Sequence, residues 1–269
     1  MRLTELLTQI PGLTVQAGPT DKTIAQVTAN SRAVQPGGLF VALVGKKTDG
    51  HDFIDEAITN GAEVIVTDGR TPDVPAHICV LASPDSRADY ARLAARMYPA
   101  RPAILTGVTG TNGKTSVCEY LRQIWSRATW PSASVGTLGV ASDIEALNSN
   151  SAQLTTPPSE QLFSLLHNLR KGGITHAAFE ASSHGLDQMR LHQLAVNVAV
   201  FTNLSRDHLD WHGDMDSYFA AKAKLFFDNL LDGGIAVINI DDKWGQRLYD
   251  QLQSRDIVLW SVGIQDKAD

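Results

Sequence analysis

Apolar residues along this chain fall into short continuous runs that alternate with stretches of helical spacing. In the first hundred residues, IAQVTANS (24–31), GGLFVALVG (37–45), AEVIVTD (62–68) and HICVLAS (77–83) read as strands. DFIDEAITNG (52–61) reads as a helix closed by Gly61, and SPDSRADYARLAARMYP (83–99) as a helix stopped by Pro99. The proline-rich YPARP (98–102) then marks a boundary, so residues 1–99 are expected to form one small α/β domain. Beyond it the alternation resumes. AILTGVTG (103–110), THAAFEAS (175–182), VNVAVFTNLS (196–205), GIAVINIDD (234–242) and DIVLWSVG (256–263) are predicted strands. Between them GKTSVCEYLRQIWSRA (113–128), PPSEQLFSLLHNLRKGG (157–173), SYFAAKAKLFFDNLL (217–231) and KWGQRLYDQLQS (243–254) are predicted helices. Strands apolar at every position are buried on both faces, and strands alternating with helices imply a mostly parallel sheet with helices on both sides. The expected fold is therefore α/β: a small N-terminal domain, then a P-loop-type central domain over 100–269.

The glycine-rich GVTGTNGKTS (107–116) joins a predicted strand to a predicted helix. Glycines let backbone N–H groups fold around phosphate, and the helix N-terminus adds its positive dipole end. Lys114 would meet the outer phosphates and Thr115 would offer a hydroxyl to Mg²⁺. The generic spacing puts a glycine where Val108 stands, with Gly107 one residue further back, so the match is displaced by one. Glu180 ends a buried strand and is a candidate carboxylate for the same metal. SRDHLDWHGDMDSYFAAKAKLF (205–226) gathers Asp207, His208, Asp210, His212, Asp214 and Asp216 ahead of a helix. His208 and His212 have a spacing that zinc sites use, yet no Glu follows the first His and no third ligand is evident. Asp214 or Asp216 can cap the following helix. On pattern alone, Lys222 and Lys224 in that helix read as surface lysines.

Composition narrows the classes. The chain has 269 residues and a net charge of -6, with a pI near 5.7, which argues against a general nucleic-acid binder while allowing a local basic pocket. Two cysteines, Cys79 and Cys118, fit a reducing cytosol better than a disulfide framework. MRLTELLTQIPGL lacks the long apolar core of a signal peptide, and no run of 18 apolar residues is present. A cytoplasmic, non-membrane and monomeric protein is the expectation.

GTNGKTS, EASSHGLDQMR, FTNLSRDHLDWHGDMDSYFAAKAKLF and VINIDD occur in the order and spacing of the Mur ligases, and NSRAVQPGGLFVALVGKKTDG resembles that family's nucleotide-sugar-binding domain. The displaced phosphate loop is the family's own form. The resemblance implies an ATP-dependent amide ligase of peptidoglycan precursor synthesis. Its substrates would be UDP-N-acetylmuramoyl-L-alanyl-D-glutamate and a diamino acid, meso-diaminopimelate or L-lysine, joined through an acyl phosphate. It further implies that Gly110, Thr111, Asn112, Gly113, Lys114, Thr115 and Ser116 hold ATP. Thr115, Glu180, His208 and Lys222 hold Mg²⁺, Lys222 as a carbamate, and Lys114, Glu180, His208 and Lys222 are the catalytic set. Asn239 and Asp242 lie where the family holds adenine, although strand-end Asn and Asp also form turns. Ser31, Lys46, Lys47 and Thr48 match uridine-diphosphate contacts. Thr155, Thr156, Ser182, Gln188 and Arg190 match contacts to the muramoyl peptide. Lys46 and Lys47 can equally be a solvated pair, and Thr155 the start of a helix. The family has a third domain, and the chain is expected to stop before it, with the central domain incomplete at its C-terminal end. A folylpolyglutamate synthetase-like ligase, a non-catalytic nucleotide-binding module and a zinc enzyme remain as alternatives.

Overall fold

The computed structural model describes residues 1–149 and 154–264. It divides into two compact units, Met1–Pro99 and Ala100–Asp269.

In the first unit, helix α1 (Leu3–Gln9) leads into strands β1 (Thr14–Ala17), β2 (Gln26–Thr28) and β3 (Gly38–Val41). Helix α2 (Ile54–Thr59), strands β4 (Ala62–Thr67) and β5 (Cys79–Ala82) and helix α3 (Ser86–Met97) follow. The sheet order is β1-β5-β4-β3-β2, parallel except for β1, which runs antiparallel on β5. Side chains alternate across the strands. Leu39 and Val41 join a cluster with Leu3, Leu6, Tyr90 and Leu93 from α1 and α3, while Phe40 and Ala42 join Ile54 and Ala57 of α2. Both faces of the sheet are thereby covered.

The second unit holds β6 (Ile104–Thr109), α4 (Lys114–Arg127), β7 (Ser132–Gly136), β8 (Gly139–Ser142), α5 (Ser159–Lys171) and β9 (His176–Glu180). After these come α6 (Ser183–Asp187), β10 (Val196–Phe201), α7 (Leu209–His212), α8 (Met215–Lys224), β11 (Leu230–Asn239), α9 (Lys243–Leu252) and β12 (Val258–Val262). Its sheet order is β12-β11-β10-β6-β9-β7-β8; the β7–β8 hairpin is antiparallel and the other named strand pairs are parallel. The chain enters at β6, crosses to β7, then returns through β9 and past β6 to β10. Val108 packs with Cys118 and Trp125 of α4, whereas a side chain added at its neighbour Gly107 would strike Leu225, just past α8. Helices α4 and α8 therefore cover opposite faces. Such a reversal of strand order opens a crevice at the C-terminal ends of the strands, where ligands of open α/β sheets bind.

Several elements differ from the sequence reading. Edge strands β1 and β8, strand β7 between β9 and β8, and the short helices α1, α6 and α7 lie in segments without a decisive period. Pro157 and Pro158 precede α5 rather than occupying its first turn. The helix predicted over 217–231 ends at Lys224, passes through a π turn (Leu225–Asn229) and becomes β11 at Leu230. On edge strand β12, Val258, Trp260 and Val262 share one face and are exposed.

Helix α5 buries Leu162, Phe163, Leu166 and Leu169, the three- and four-residue spacing of a single helical stripe. Leu166→Ala should therefore destabilise the chain by about 2–5 kcal/mol. Urea melts followed by circular dichroism measure this, and a loss below about 1 kcal/mol would show that the stripe is not packed as described.

Candidate functional site

The loop after β6 is shaped by two glycines. Gly110 has φ 146° and Gly113, which precedes the first residue of α4, has φ 84°. Both values lie where side chains are strained, and a Cβ at Gly110 would sit 1.9 Å from Thr202 Oγ1. The segment after β10 clasps this loop. Thr202 Oγ1 donates to Asn112 O (2.6 Å), and Asn203 Oδ1 accepts from Asn112 N (3.1 Å). Thr111 N donates to Asn203 O (2.9 Å), and Ser205 N donates to Thr111 Oγ1 (3.0 Å). Ser116 lies in the first turn of α4.

Lys114 folds back, its Nζ donating to Gly110 O (3.0 Å) and Thr111 O (2.9 Å). Lys222 Nζ donates to the same Gly110 oxygen at 2.7 Å. Lys222 is 1% exposed, so the surface reading of its sequence pattern is corrected: α8 turns this lysine inward, while Lys224 lies at the surface, 3.5 Å from Asp187. Burial pushes both Lys114 and Lys222 below the usual lysine range. The charge of Lys114 lowers Lys222 further, whereas the carboxylates of Glu180 and Asp207 pull Lys114 back up.

Glu180, at the end of β9, is 2% exposed. Its Oε1 accepts from Thr115 Oγ1 (2.9 Å) and from the backbone N–H of Thr137 (2.8 Å). Thr137 Oγ1 lies 3.3 Å from Oε2 and 3.1 Å from Thr155 Oγ1. Gly136 must be a glycine, because a Cβ there would lie 2.0 Å from the carboxylate. Thr156 Oγ1 accepts from Ser182 N and donates to Glu180 O, both at 2.8 Å. Arg190 donates to Thr156 O (2.5 Å) and to Gln188 Oε1 (2.9 Å), and Ser182 Oγ caps α6. The structure thus joins Thr155, Thr156, Ser182, Gln188 and Arg190 to Glu180 and the phosphate loop through one hydrogen-bonded chain.

His208 adopts a left-handed backbone, φ 52°, and its ring meets those of His184 (4.7 Å) and Tyr218 (6.2 Å). Tyr218 in turn lies beneath Lys222, with Nζ 4.6 Å from the ring centroid. Asp214 caps α8 through Ser217 N (2.7 Å). Trp211 Nε1 donates to Asp187 (2.9 Å). Among the described residues, no group of three or more His, Cys, Asp or Glu side chains is arranged to hold a metal ion, so the dense cluster at 207–216 does not converge as a zinc site. Asn239 Oδ1 accepts from Asp241 N (2.9 Å). Asp242 caps α9 through Trp244 N (2.8 Å) and Gly245 N (2.9 Å), and also accepts from Leu204 N (2.9 Å). These are turn and cap roles.

In the first unit, Ser31 follows β2 and donates to Glu56 Oε2 (2.5 Å). Lys46, Lys47 and Thr48 lie exposed on the turn bridged by Val44 and Asp49. Asp49 accepts from His51 Nδ1 (2.6 Å) and Arg70 Nη1 (2.7 Å), and Arg70 also pairs with Asp68 (2.9 Å). The backbone N–H of His51 also donates to Asp49 (3.0 Å), and that bond first, then those from Arg70 and the His51 ring, hold the Asp49 carboxyl well below its usual range.

Sequence reasoning singled out neither Thr137, Thr202, Asn203 nor Tyr218. Each acts through a tertiary contact; Thr202, Asn203 and Tyr218 carried a signal only as parts of the longer motif over 201–226, and Thr137 carried none.

A strand, a glycine loop and a helix, with a buried carboxylate on the adjacent strand, define an α/β protein of the phosphate-loop class. Residues 108–269 match the Mur ligase middle domain and residues 23–99 the Mur ligase family catalytic domain. The chain belongs to the Mur ligase family. Two similar relatives are the UDP-N-acetylmuramoyl-L-alanyl-D-glutamate--2,6-diaminopimelate ligases of Bradyrhizobium diazoefficiens and Rhizobium meliloti. The first is 43% identical, covering 89% of this chain and 48% of the relative; the second is 42% identical, covering 91% and 50%. A solved structure of a ligase of that name superposes with a TM-score of 0.82 at 30% identity, covering 100% of this chain and 54% of that one. MurF from Acinetobacter baumannii shares the fold at a TM-score of 0.67 and 23% identity, covering 96% of this chain and 52% of its own. The chain spans about half the length of the curated relatives it matches.

The buried Lys222 makes stability depend on pH. Below its lowered folded-state pKa the lysine is charged in both states and its burial is fully penalised. As pH climbs from there to the ordinary lysine value, the unfolded chain holds a proton that the folded chain lacks, so this group's contribution to stability rises with pH. Lys222→Met should melt above the unsubstituted chain at neutral pH, the gap closing as pH approaches the ordinary lysine value. A gap that stays constant or widens in calorimetric melts would contradict the burial of a titrating amine.

Proposed function

We propose that the chain carries the nucleotide- and acceptor-binding parts of an ATP-dependent ligase acting on UDP-N-acetylmuramoyl-L-alanyl-D-glutamate and a diamino acid. The carrying observation is the convergence of Lys114 and Lys222 on Gly110 O, inside a glycine loop at the N-terminus of α4 and close to the buried Glu180. Two lysines that share one carbonyl are poised to exchange it for phosphate oxygens, which satisfy a cation better than a neutral acceptor does. The names of the relatives support the choice of substrates.

A carboxylate is a poor electrophile until phosphate becomes its leaving group. In the proposed reaction the γ-phosphoryl group of ATP passes to the substrate carboxylate and ADP departs. The amine then attacks the acyl carbon, losing a proton, and phosphate leaves. The protein's task is orientation and charge neutralisation. The loop N–H groups and Lys114 hold the phosphates. Arg190, fixed by Thr156 and Gln188, faces the acidic peptide. Ser31 and the Lys46–Thr48 turn take the uridine diphosphate.

The oxygens of Thr115 and Glu180, already 2.9 Å apart, suit a hard cation such as Mg²⁺. When bound, the ion would neutralise charge on the transferring phosphoryl group. Lys222 suits a cation only once its amine carries CO₂ as a carbamate. Burial favours that step, because it shifts the amine towards its neutral, nucleophilic form. His208, one ring away across Tyr218, would complete this side.

Lys114→Ala should weaken ATP binding about tenfold or more, as expected for a lost charge-assisted contact. Calorimetry with Mg·ATP tests this, and an unchanged affinity removes the phosphate-loop assignment. Phosphate release that requires the UDP-muramoyl dipeptide supports ligase chemistry, whereas nucleotide binding without turnover supports a binding module.

A further inference from the structure

Tyr218 is 1% exposed and sits on α8 one turn before Lys222, so the two side chains stack on one helical face. Its ring lies 4.6 Å below Lys222 Nζ, the ammonium bound to Gly110 O. Its hydroxyl lies 3.3 Å from Thr111 Oγ1. One aromatic side chain therefore touches Thr111 directly and supports the lysine that touches Gly110, two successive residues of the phosphate loop. The rings of His212 (5.1 Å) and His208 (6.2 Å) pack against the same tyrosine.

The proton count is consistent with one direction for the hydroxyl contact. Thr111 Oγ1 accepts from Ser205 N (3.0 Å) and reaches Ser205 O at 3.3 Å. If Thr111 donates its single proton to that carbonyl, Tyr218 must donate to Thr111. A buried phenol needs such a partner, and the negative face of its ring favours the ammonium above it.

We propose that Tyr218 is a positioning residue for nucleotide binding: its hydroxyl fixes the phosphate loop through Thr111, while its ring fixes the approach of Lys222 to Gly110. The inference rests on the phosphate-loop reading above. It assigns Tyr218 no contact with substrate or nucleotide.

Phenylalanine separates the two contacts, keeping the ring and deleting the hydroxyl. Calorimetry with ADP on the full 269-residue chain, each variant first checked for folding by circular dichroism, tests the proposal. Tyr218→Phe should weaken ADP binding about fivefold, the effect of one hydrogen bond. Thr111→Val, which cuts the same bond from the loop side, should weaken it at least as much. Thr111→Ser, which keeps the hydroxyl, should stay within about twofold of the unsubstituted chain. The combined Tyr218→Phe, Thr111→Val variant should be no weaker than Thr111→Val alone, because Thr111→Val already removes the bond that Tyr218→Phe deletes. A Tyr218→Phe affinity equal to that of the unsubstituted chain overturns the proposal. So does a combined loss equal to the product of the single losses, which would mean that Tyr218 acts by general packing. Failure of the unsubstituted chain to bind ADP sinks the phosphate-loop reading itself and is distinguishable from both.

Discussion

The carbonyl oxygen of Gly110 accepts hydrogen bonds from two lysines that approach from different helices, Lys114 at the start of α4 and Lys222 near the end of α8. Much of the second unit's architecture follows from making this meeting possible. The backbone at residue 110 has a φ that only glycine adopts freely, and a methyl group there would collide with Thr202. The strands β6 and β10 lie side by side, so their loops emerge at one end and the TNLS segment can clasp the phosphate loop. Two ammonium groups sharing one neutral oxygen, with burial lowering the charge preference of both, is an arrangement under electrostatic tension. An anion relieves that tension.

Glu180 offsets the charge of Lys114, and its position is also determined by backbone geometry. It ends β9, the other neighbour of β6, so the carboxylate reaches Thr115 in the first turn of α4. The space it needs exists because residue 136, on the next strand, lacks a side chain. Thr137 then supplies the N–H that a buried carboxylate requires, and its hydroxyl meets Thr155. Four adjacent strands, β7, β9, β6 and β10, thus each contribute the residue just beyond or at their C-terminal ends. The same logic holds in the first unit, where Ser31 follows β2, the Lys46–Thr48 turn follows β3 and Asp68–Arg70 follows β4.

Much of this was legible in the sequence because parallel strands buried on both faces leave continuous apolar runs, and each such run corresponds to a strand. Strand β1 and the β7–β8 hairpin were not legible. β1 is exposed along its whole length, and the β7–β8 hairpin is built from small residues that carry no period. The π turn after Lys224 was hidden because its Leu225 and Phe226 continue the apolar spacing of the helix. The phosphate loop and Glu180 could be found from local sequence, because glycines and a strand-end carboxylate announce themselves. Lys222 could not be read from its own surroundings, since α8 is apolar on several sides and its pattern does not say which way one lysine turns. Thr137 meets Glu180 43 residues away and the Tyr218 hydroxyl meets Thr111 107 residues away along the chain, and no local pattern encodes such a partner.

Lys222 and Lys224 show how little separates a structural from a chemical role. Both belong to α8, two positions apart, and so point in different directions. Lys224 reaches the surface, where its 3.5 Å approach to Asp187 is a half-buried, solvent-accessible pair of small energetic consequence. Lys222 is buried beside another cation, a position that costs stability and that a chain selected for stability alone would fill with an apolar residue. Strongly perturbed groups cluster at functional sites, and an amine buried against a glycine loop, with a tyrosine ring beneath it, is the observation on this helix that supports the proposed chemistry.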